Sequence, residues 1–398
     1  MKRQINNIRS IIKKHEDYRN QCINLLPSDN VISPLAKKAI QSDMGQRYYF
    51  TNAYSPKKGA FYSYNGTKYI EEILKIGQGL ANEIFHAKYV SLYPISGHQA
   101  NIAILFAFTK LGDTILCHSP SAGGYPGLDR NKLPKYLGLN VKYFPMRDDI
   151  PEMINTERTV NLIKKVKPEL IIFSSANTLF PIPIKEISNA ALKINAKLVY
   201  DGSHPLGLIV GNKFQNPLKE GVDVLVGGTQ KSFPGPQGAI IATNKYIDKI
   251  KEIEHFVVVD NPHFHRIASL VTSIIEMKYY GRKYAEQVVN NAKFLAKSLL
   301  SIGLPVLYKD YGFTKSHMFK IQISSKYSEF TRQLERVNII LDNSGRVGVN
   351  EMTRLGMKER EMEKIAEFIN DIKKGYNLSI VKKEVVKFRL QYQYVHFC

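Results

Sequence analysis

The stretch Val224–Ala239, VLVGGTQKSFPGPQGA, decides how the chain is read. Three apolar residues give way to Gly227-Gly228, then Thr229-Gln230-Lys231, then a loop of Gly and Pro, so that a strand ends in small residues just before a lysine. A lysine held among apolar neighbours is unfavourable unless it is paired or covalently engaged. An imine to a carbonyl cofactor removes that difficulty and is a regular use of a lysine amine. An isolated Thr-Gln-Lys after a strand would simply lead its amine into solvent, so the neighbouring strands have to settle the matter.

Outward from this point, short apolar runs alternate with helical segments. The runs are YVSLYPI (89–95), DTILCHS (113–119), VKYFPM (141–146), LIIFSS (170–175), LVYDGS (198–203), DVLVGG (223–228) and AIIATN (239–244). Regular alternation of this kind predicts an α/β fold in which helices cover a mostly parallel, seven-stranded sheet. Ligands in such sheets bind beyond the carboxyl ends of the strands. Most runs here end in small or polar residues at that place: Ser96-Gly97, Ser119, Ser174-Ser175, Asp201-Gly202 and Gly227-Gly228.

Two of those endings suit a ring cofactor that carries a phosphate. Asp201 directly follows an apolar strand, where a carboxylate can pair with a protonated pyridine nitrogen and keep the ring an electron sink. An acid at that place is as often a helix cap. Ser96-Gly97-His98 opens a helix after the first run, offering backbone amides and a hydroxyl to a phosphate. Ser-Gly at a helix start is common by itself. Phosphate cradle, ring-nitrogen acid and lysine in this order, each at a strand end, form a specific signal.

Beyond about residue 290 the character changes. A helix from Tyr284 to Leu300, the segment SHMFKIQIS, the short apolar piece VNIILD and the capped amphipathic helix KEREMEKIAEFINDIKK look like a separate α+β domain. The expected organisation is an N-terminal helical arm over 1–40, a large cofactor-binding domain over 41–290 and a small domain over 291–398.

Composition narrows the remaining classes. The formal net charge of +21 invites a nucleic-acid reading, but the lysines are scattered as short runs such as Lys164-Lys165 and Lys382-Lys383, with no Arg-rich stripe. An acidic or phosphorylated substrate accounts for the charge equally well. Cys22, Cys117 and Cys398 show no paired spacing, so neither a disulfide framework nor a metal site is expected. No run approaches the roughly 18 apolar residues of a membrane span, and MKRQINNIRSIIKKHEDYRN lacks the apolar core of a secretory signal. A cytoplasmic protein is expected.

These residues resemble serine hydroxymethyltransferase over nearly the whole chain. The family's early Ser-Glu-Asn-x-x-Ser-Pro is similar to Ser28-Asp29-Asn30-Val31-Ile32-Ser33-Pro34, and its Ser-Gly-Ser-Gln-Ala-Asn to SGHQAN at 96–101. Its Asp-x-x-His is matched by Asp201 and His204, and its Thr-His-Lys-x-x-x-Gly-Pro by Thr229-Gln230-Lys231 through Gly235-Pro236. Arg346-Val347-Gly348 with Thr353-Arg354 resembles its carboxylate-binding arginine segment. The resemblance implies fold type I and pyridoxal 5'-phosphate as a Schiff base on Lys231. Ser96, Gly97, His98 and Thr229 would lie at the phosphate, Asp201 at the ring nitrogen, and Ser175 and His204 near the phenolic oxygen. Ser28 and Arg346 would hold an amino-acid carboxylate. Tyr48 and Tyr62 would reach the site of a neighbouring subunit, which implies a homodimer with shared sites, although tyrosine clusters are more often packing.

The departures from the family bear on the reaction. Where a ring-stacking histidine is expected, the chain reads Ser121-Ala122-Gly123-Gly124-Tyr125, and a methyl group cannot carry protons. The histidine before the cofactor lysine is Gln230, the phosphate-cradle serine is His98, and Phe50 stands where a glutamate assists folate-dependent proton transfer. The long folate-contacting segment before the arginine is reduced to VNIILDNSGRVGVNE. The ending Val349–Met357 looks more like folate-independent threonine transaldolase relatives. The expected reaction is therefore cleavage or formation of the Cα–Cβ bond of a β-hydroxy amino acid without folate, with an aldehyde as a candidate acceptor. Lys231, His98 and His204 are the expected catalytic groups. Rivals are decarboxylation, oxidation, β-substitution or folate-dependent hydroxymethyl transfer, and, outside enzymes, a cofactor-free scaffold or a nucleic-acid-binding protein. A scaffold would be expected to have lost Lys231.

Overall fold

The structure, a computed structural model, describes residues 1–49, 64–255 and 257–398. Two compact units are present. One comprises Met1–Val31 with Tyr284–Phe397, and the other Ile32–Lys283 with Cys398. The first 31 residues, expected as part of a separate arm, thus group with the C-terminal part of the chain.

The larger unit is built on a seven-stranded sheet. Its order from edge to edge is Tyr89–Ser91, Ala239–Thr243, Val224–Gly228, Lys197–Asp201, Leu170–Phe173, Thr114–Cys117 and Asn140–Tyr143. All pairings among the last five strands are parallel, while Ala239–Thr243 runs antiparallel to both of its neighbours. The inner strands are buried on both faces, which is why Leu170–Phe173 and Val224–Gly228 read as continuous apolar runs rather than as alternating ones. Helix Gly97–Phe108 contributes Ala100, Ala103 and Ile104 to a core that also holds Ile115, Leu170, Val199, Val224 and Ile241. The helix Phe264–Ser301 starts twenty residues before the expected Tyr284. Ile267, Leu270, Val271 and Ile274 are buried at helical spacing, a pattern already present in the sequence.

In the smaller unit, Met318–Lys320 pairs antiparallel with Arg346–Gly348, and Ile23–Asn24 pairs parallel with Ile339–Ile340. Helix Glu359–Lys373 begins where Glu361 accepts the amide of Lys358 at 2.9 Å, and it buries Met362, Ile365, Phe368 and Ile369. The first helix, Lys2–Asn20, buries none of its residues. Among the described residues no helix is long and apolar enough to cross a membrane.

Candidate active site

In the larger unit, the strand ends singled out in the sequence converge on one another. Ser96, in extended backbone, caps helix Gly97–Phe108 by accepting the amide of Gln99 at 3.1 Å. First-turn amides of a helix have no intrahelical acceptor and, together with the helix dipole, favour an anion there. Asn101, one turn into that helix and fully buried, donates from Nδ2 to Asp201 Oδ2 at 2.8 Å and to the Gly97 carbonyl at 3.0 Å. It ties the cradle to the acid.

Asp201 is 9% exposed at the end of Lys197–Asp201. Its Oδ1 accepts the backbone N–H and the hydroxyl of Ser203 at 3.0 and 2.5 Å. A carboxylate that accepts three donors is held in one orientation. Such a group suits a cationic partner.

Lys231 is half-buried, two residues beyond the fully buried Thr229. Thr229 fastens the loop that carries the lysine: its amide donates to the Gly238 carbonyl at 3.0 Å, its hydroxyl to Pro236 at 2.6 Å, and its carbonyl accepts from Gly235 at 2.8 Å. His204 is buried, and its carbonyl accepts the Ser232 hydroxyl, which in turn accepts the amide of Gly207 at 3.0 Å. Ser175, 9% exposed, bridges to Gly124 across an antiparallel contact and accepts the amide of Asn177 at 3.1 Å.

His98 is exposed, and its Nδ1 lies 3.0 Å from the Tyr125 hydroxyl. Burial, with the negative charge of Asp201 as a smaller cause, raises the pKa of Tyr125 above its ordinary value. The phenol therefore keeps its proton at neutral pH. The Tyr125 amide donates to the Ser174 carbonyl at 2.7 Å, so this pair is anchored to the end of Leu170–Phe173.

The sequence did not single out four further residues. Besides Asn101 and Ser203, His118 is fully buried, and its Nδ1 accepts the amide of Ser174 at 3.1 Å. Burial pushes its pKa down to about 3, so it is neutral and acts as a fixed acceptor. Arg266, 5% exposed, donates to the carbonyls of Leu92 at 2.5 Å and Tyr93 at 3.1 Å, on the segment leading to Ser96. Burial lowers its pKa to about 10, which leaves it charged. His118 follows Cys117 at the end of an apolar run, and Arg266 lies before the helix expected from Tyr284, so nothing in the sequence set either apart.

In the smaller unit the segment that precedes Ser28 meets the strand that begins at Arg346. Gly348 packs so closely on Pro27 that a Cβ would collide with its backbone, and the Gly348 amide donates to the Leu25 carbonyl at 2.8 Å. Asp342 collars the turn before Arg346. Its Oδ1 accepts from the amides of Ser344 (2.9 Å) and Arg346 (3.1 Å), and its Oδ2 from Arg346 Nε (2.8 Å). Gly345 closes the turn at φ +77, in the region that favours glycine. Tyr48 is 50% exposed with its ring 5.8 Å from that of Tyr64. Tyr62 and Phe50 lie outside the described residues.

The donor set of the larger unit fits a phosphorylated pyridine aldehyde: an amine, a fixed buried carboxylate and a capped helix start. Next to Lys231, the buried Oε1 of Gln230 finds no hydrogen-bond partner among the described residues and so offers an acceptor to a bound group. This is the donor set of a fold type I pyridoxal-phosphate enzyme.

Comparison with known proteins agrees. The sequence profile described as serine hydroxymethyltransferase matches residues 1–369. Serine hydroxymethyltransferase of Methanocella arvoryzae is 36% identical, covering 97% of this chain and 94% of its own length, and that of Methanopyrus kandleri is 36% identical over 97% and 93%. Among solved structures, L-threonine transaldolase from Pseudomonas fluorescens in its internal aldimine state superposes with a TM-score of 0.90 at 25% identity, over 98% of this chain and 92% of that one. The chain belongs to the serine hydroxymethyltransferase family. It is a pyridoxal-phosphate-dependent transferase or lyase of fold type I.

Proposed function

We propose that the protein cleaves or forms the Cα–Cβ bond of a β-hydroxy amino acid without folate, as an aldolase or transaldolase, and works as a homodimer. The observation that carries this reading is the turn before Arg346. Only Leu341 to Gly345 separate the strand Ile339–Ile340 from Arg346–Gly348, and Asp342 fastens that turn by hydrogen bonds. A five-residue turn has no length left over to wrap a pteridine. The likeness in fold to a threonine transaldolase points the same way.

The cofactor, when bound, supplies an electron sink for the pair released at Cα. In this reading Lys231 holds it covalently, and Asp201 pairs with its ring nitrogen. Ser96, Gly97, His98 and Thr229 take its phosphate, while Ser175 and His204 stand at its phenolic oxygen. Ser28 and Arg346 bind the substrate carboxylate, and a fork-to-fork approach through the two Nη atoms leaves the Nε bond to Asp342 in place. Tyr48 and Tyr62 serve a neighbouring subunit.

The proton of the β-hydroxyl passes through Tyr125 and His98. With His98 in the tautomer whose Nδ1 is bare, Tyr125 donates its own proton there as its oxygen accepts the substrate's. The phenol is neutral before and after, in keeping with its raised pKa, and exposed His98 exchanges the proton with water. Ala122, which cannot move protons, leaves this task to the pair.

A second reading, hydroxymethyl transfer to a pterin carrier, is favoured by the names of the relatives at 36% identity. One experiment separates the two: threonine, phenylserine and serine are each incubated with the holoenzyme, with and without tetrahydrofolate, and products are identified by mass. Release of glycine and aldehyde at a folate-independent rate is expected. Micromolar folate binding by calorimetry with folate-dependent serine cleavage would establish the second reading instead.

A further inference from the structure

Three parts of the larger unit meet at one hydroxyl. Ser203, 8% exposed, lies two residues after Asp201, at the matched Asp-x-x-His segment but not among its defining positions. Its Oγ donates to Asp201 Oδ1 at 2.5 Å and accepts the amide of Gly228, the last residue of the strand before the lysine loop, at 2.9 Å. A Cβ on Gly97, the first residue of the cradle helix, would stand 3.2 Å from the same oxygen, and one on Gly228 3.3 Å from it. One buried oxygen is thus in contact with, or one methyl group away from, the acid, the cradle and the root of the lysine loop.

We propose that Ser203 is a positioning residue for the cofactor: it fixes the orientation of the Asp201 carboxylate and registers it against the segment carrying Lys231. The proposal rests on the reading that Asp201 pairs with the cofactor's ring nitrogen. The hydroxyl is suited to both tasks, since it has one proton to give and lone pairs to accept with. Alanine at this position removes a donor from Asp201 and leaves the buried Gly228 N–H without an acceptor, and unsatisfied buried groups are the expensive half of a broken hydrogen bond. Asn101 and the Ser203 amide still hold the carboxylate, so the fold survives while the alignment is lost. With one donor fewer, the Asp201 carboxylate would draw harder on a proton at the ring nitrogen it holds, which would shift the pH midpoint of the cofactor's visible absorbance upward.

The test uses the full-length protein, stripped of cofactor and titrated with pyridoxal phosphate. Dissociation constants and the pH midpoint of the bound cofactor's visible absorbance are read for Ser203→Ala, Ser203→Cys, Asp201→Asn and Thr243→Val. Thr243 is a buried hydroxyl in the same sheet, bonded to the Asp223 carbonyl at 2.9 Å, and serves as the structural control. Ser203→Ala should weaken cofactor binding about tenfold and raise the midpoint, Ser203→Cys should fall between it and the parent, and Thr243→Val should lower the melting temperature without moving either readout. Parent-like constants and midpoint for Ser203→Ala, with Asp201→Asn impaired, would overturn the proposal alone. Parent-like behaviour of Asp201→Asn would instead remove the reading on which it rests. If Ser203→Ala shows no cooperative melt, Ser203→Cys decides by the same two readouts.

Discussion

The Tyr125 hydroxyl and His98 Nδ1 stand 3.0 Å apart, joining the loop Ser121–Tyr125 to the first turn of helix Gly97–Phe108. In the function proposed above, proton transfer and phosphate binding meet at His98. If the pair relays the substrate proton, Tyr125→Phe should lower kcat for β-hydroxy amino-acid cleavage by about 100-fold or more with cofactor content unchanged. His98→Ala should likewise reduce turnover more than cofactor occupancy. Steady-state kinetics beside cofactor absorbance check both, and a loss confined to occupancy would make His98 a phosphate ligand only.

Lys231 should be the sole covalent attachment point. Borohydride treatment of the yellow holoenzyme followed by peptide mass mapping should find the reduced cofactor on Lys231, and Lys231→Ala should lose both the visible band and turnover. Full activity in that variant would end the assignment.

For Arg346, replacement by lysine keeps the charge and loses the planar fork. Arg346→Lys should weaken amino-acid binding by roughly tens- to thousands-fold and leave cofactor content intact. Spectral titration with glycine measures the first and absorbance the second. An unchanged affinity for every amino acid tried would take Arg346 out of the site.

Two buried groups make stability depend on pH in opposite directions. Burial holds His118 at about 3 against an ordinary 6.5. Protons therefore bind the unfolded chain first, and the His118 contribution is lost as pH falls from 6.5 towards 3. Burial raises Glu254 to about 8 from 4.5. Its contribution is complete below 4.5 and is lost as pH rises through 8. Each slope is at most about 1.4 kcal/mol per pH unit, and the two oppose each other between 4.5 and 6.5. Glu254→Gln should flatten the decline between pH 6.5 and 8, and His118→Asn the decline on the acid side. Urea melts across that range measure both, and parallel curves for parent and variants would contradict the account.

The strands were legible because a buried parallel strand needs only a short apolar run, and Gly227-Gly228 or Asp201-Gly202 marks its end. Lys231, Asp201 and Ser96 were legible for the same reason, since each lies at or within three residues of the end of such a run. Asn101 and Ser203 were not: each matters through contacts with chain far away in sequence, Asn101 with Asp201 and Ser203 with Gly228. The grouping of the first 31 residues with the C-terminal part was hidden in the same way, resting on the pairing of Ile23 with Ile339 and of Asn24 with Glu351.

The turn from Leu341 to Gly345 has a consequence for how such enzymes diversify. The entropy of closing a loop grows only with the logarithm of its length, so each doubling adds about 0.6 kcal/mol. Threading a dozen residues in after Asn343 is therefore thermodynamically mild. The heavier effect is mechanical, because Asp342 grips both Ser344 and Arg346 across that point, and an insertion pulls the anchor of the arginine away from it. A lineage gaining a second-substrate loop here must find a new brace for its arginine. One shedding such a loop can let four residues and an aspartate do the bracing.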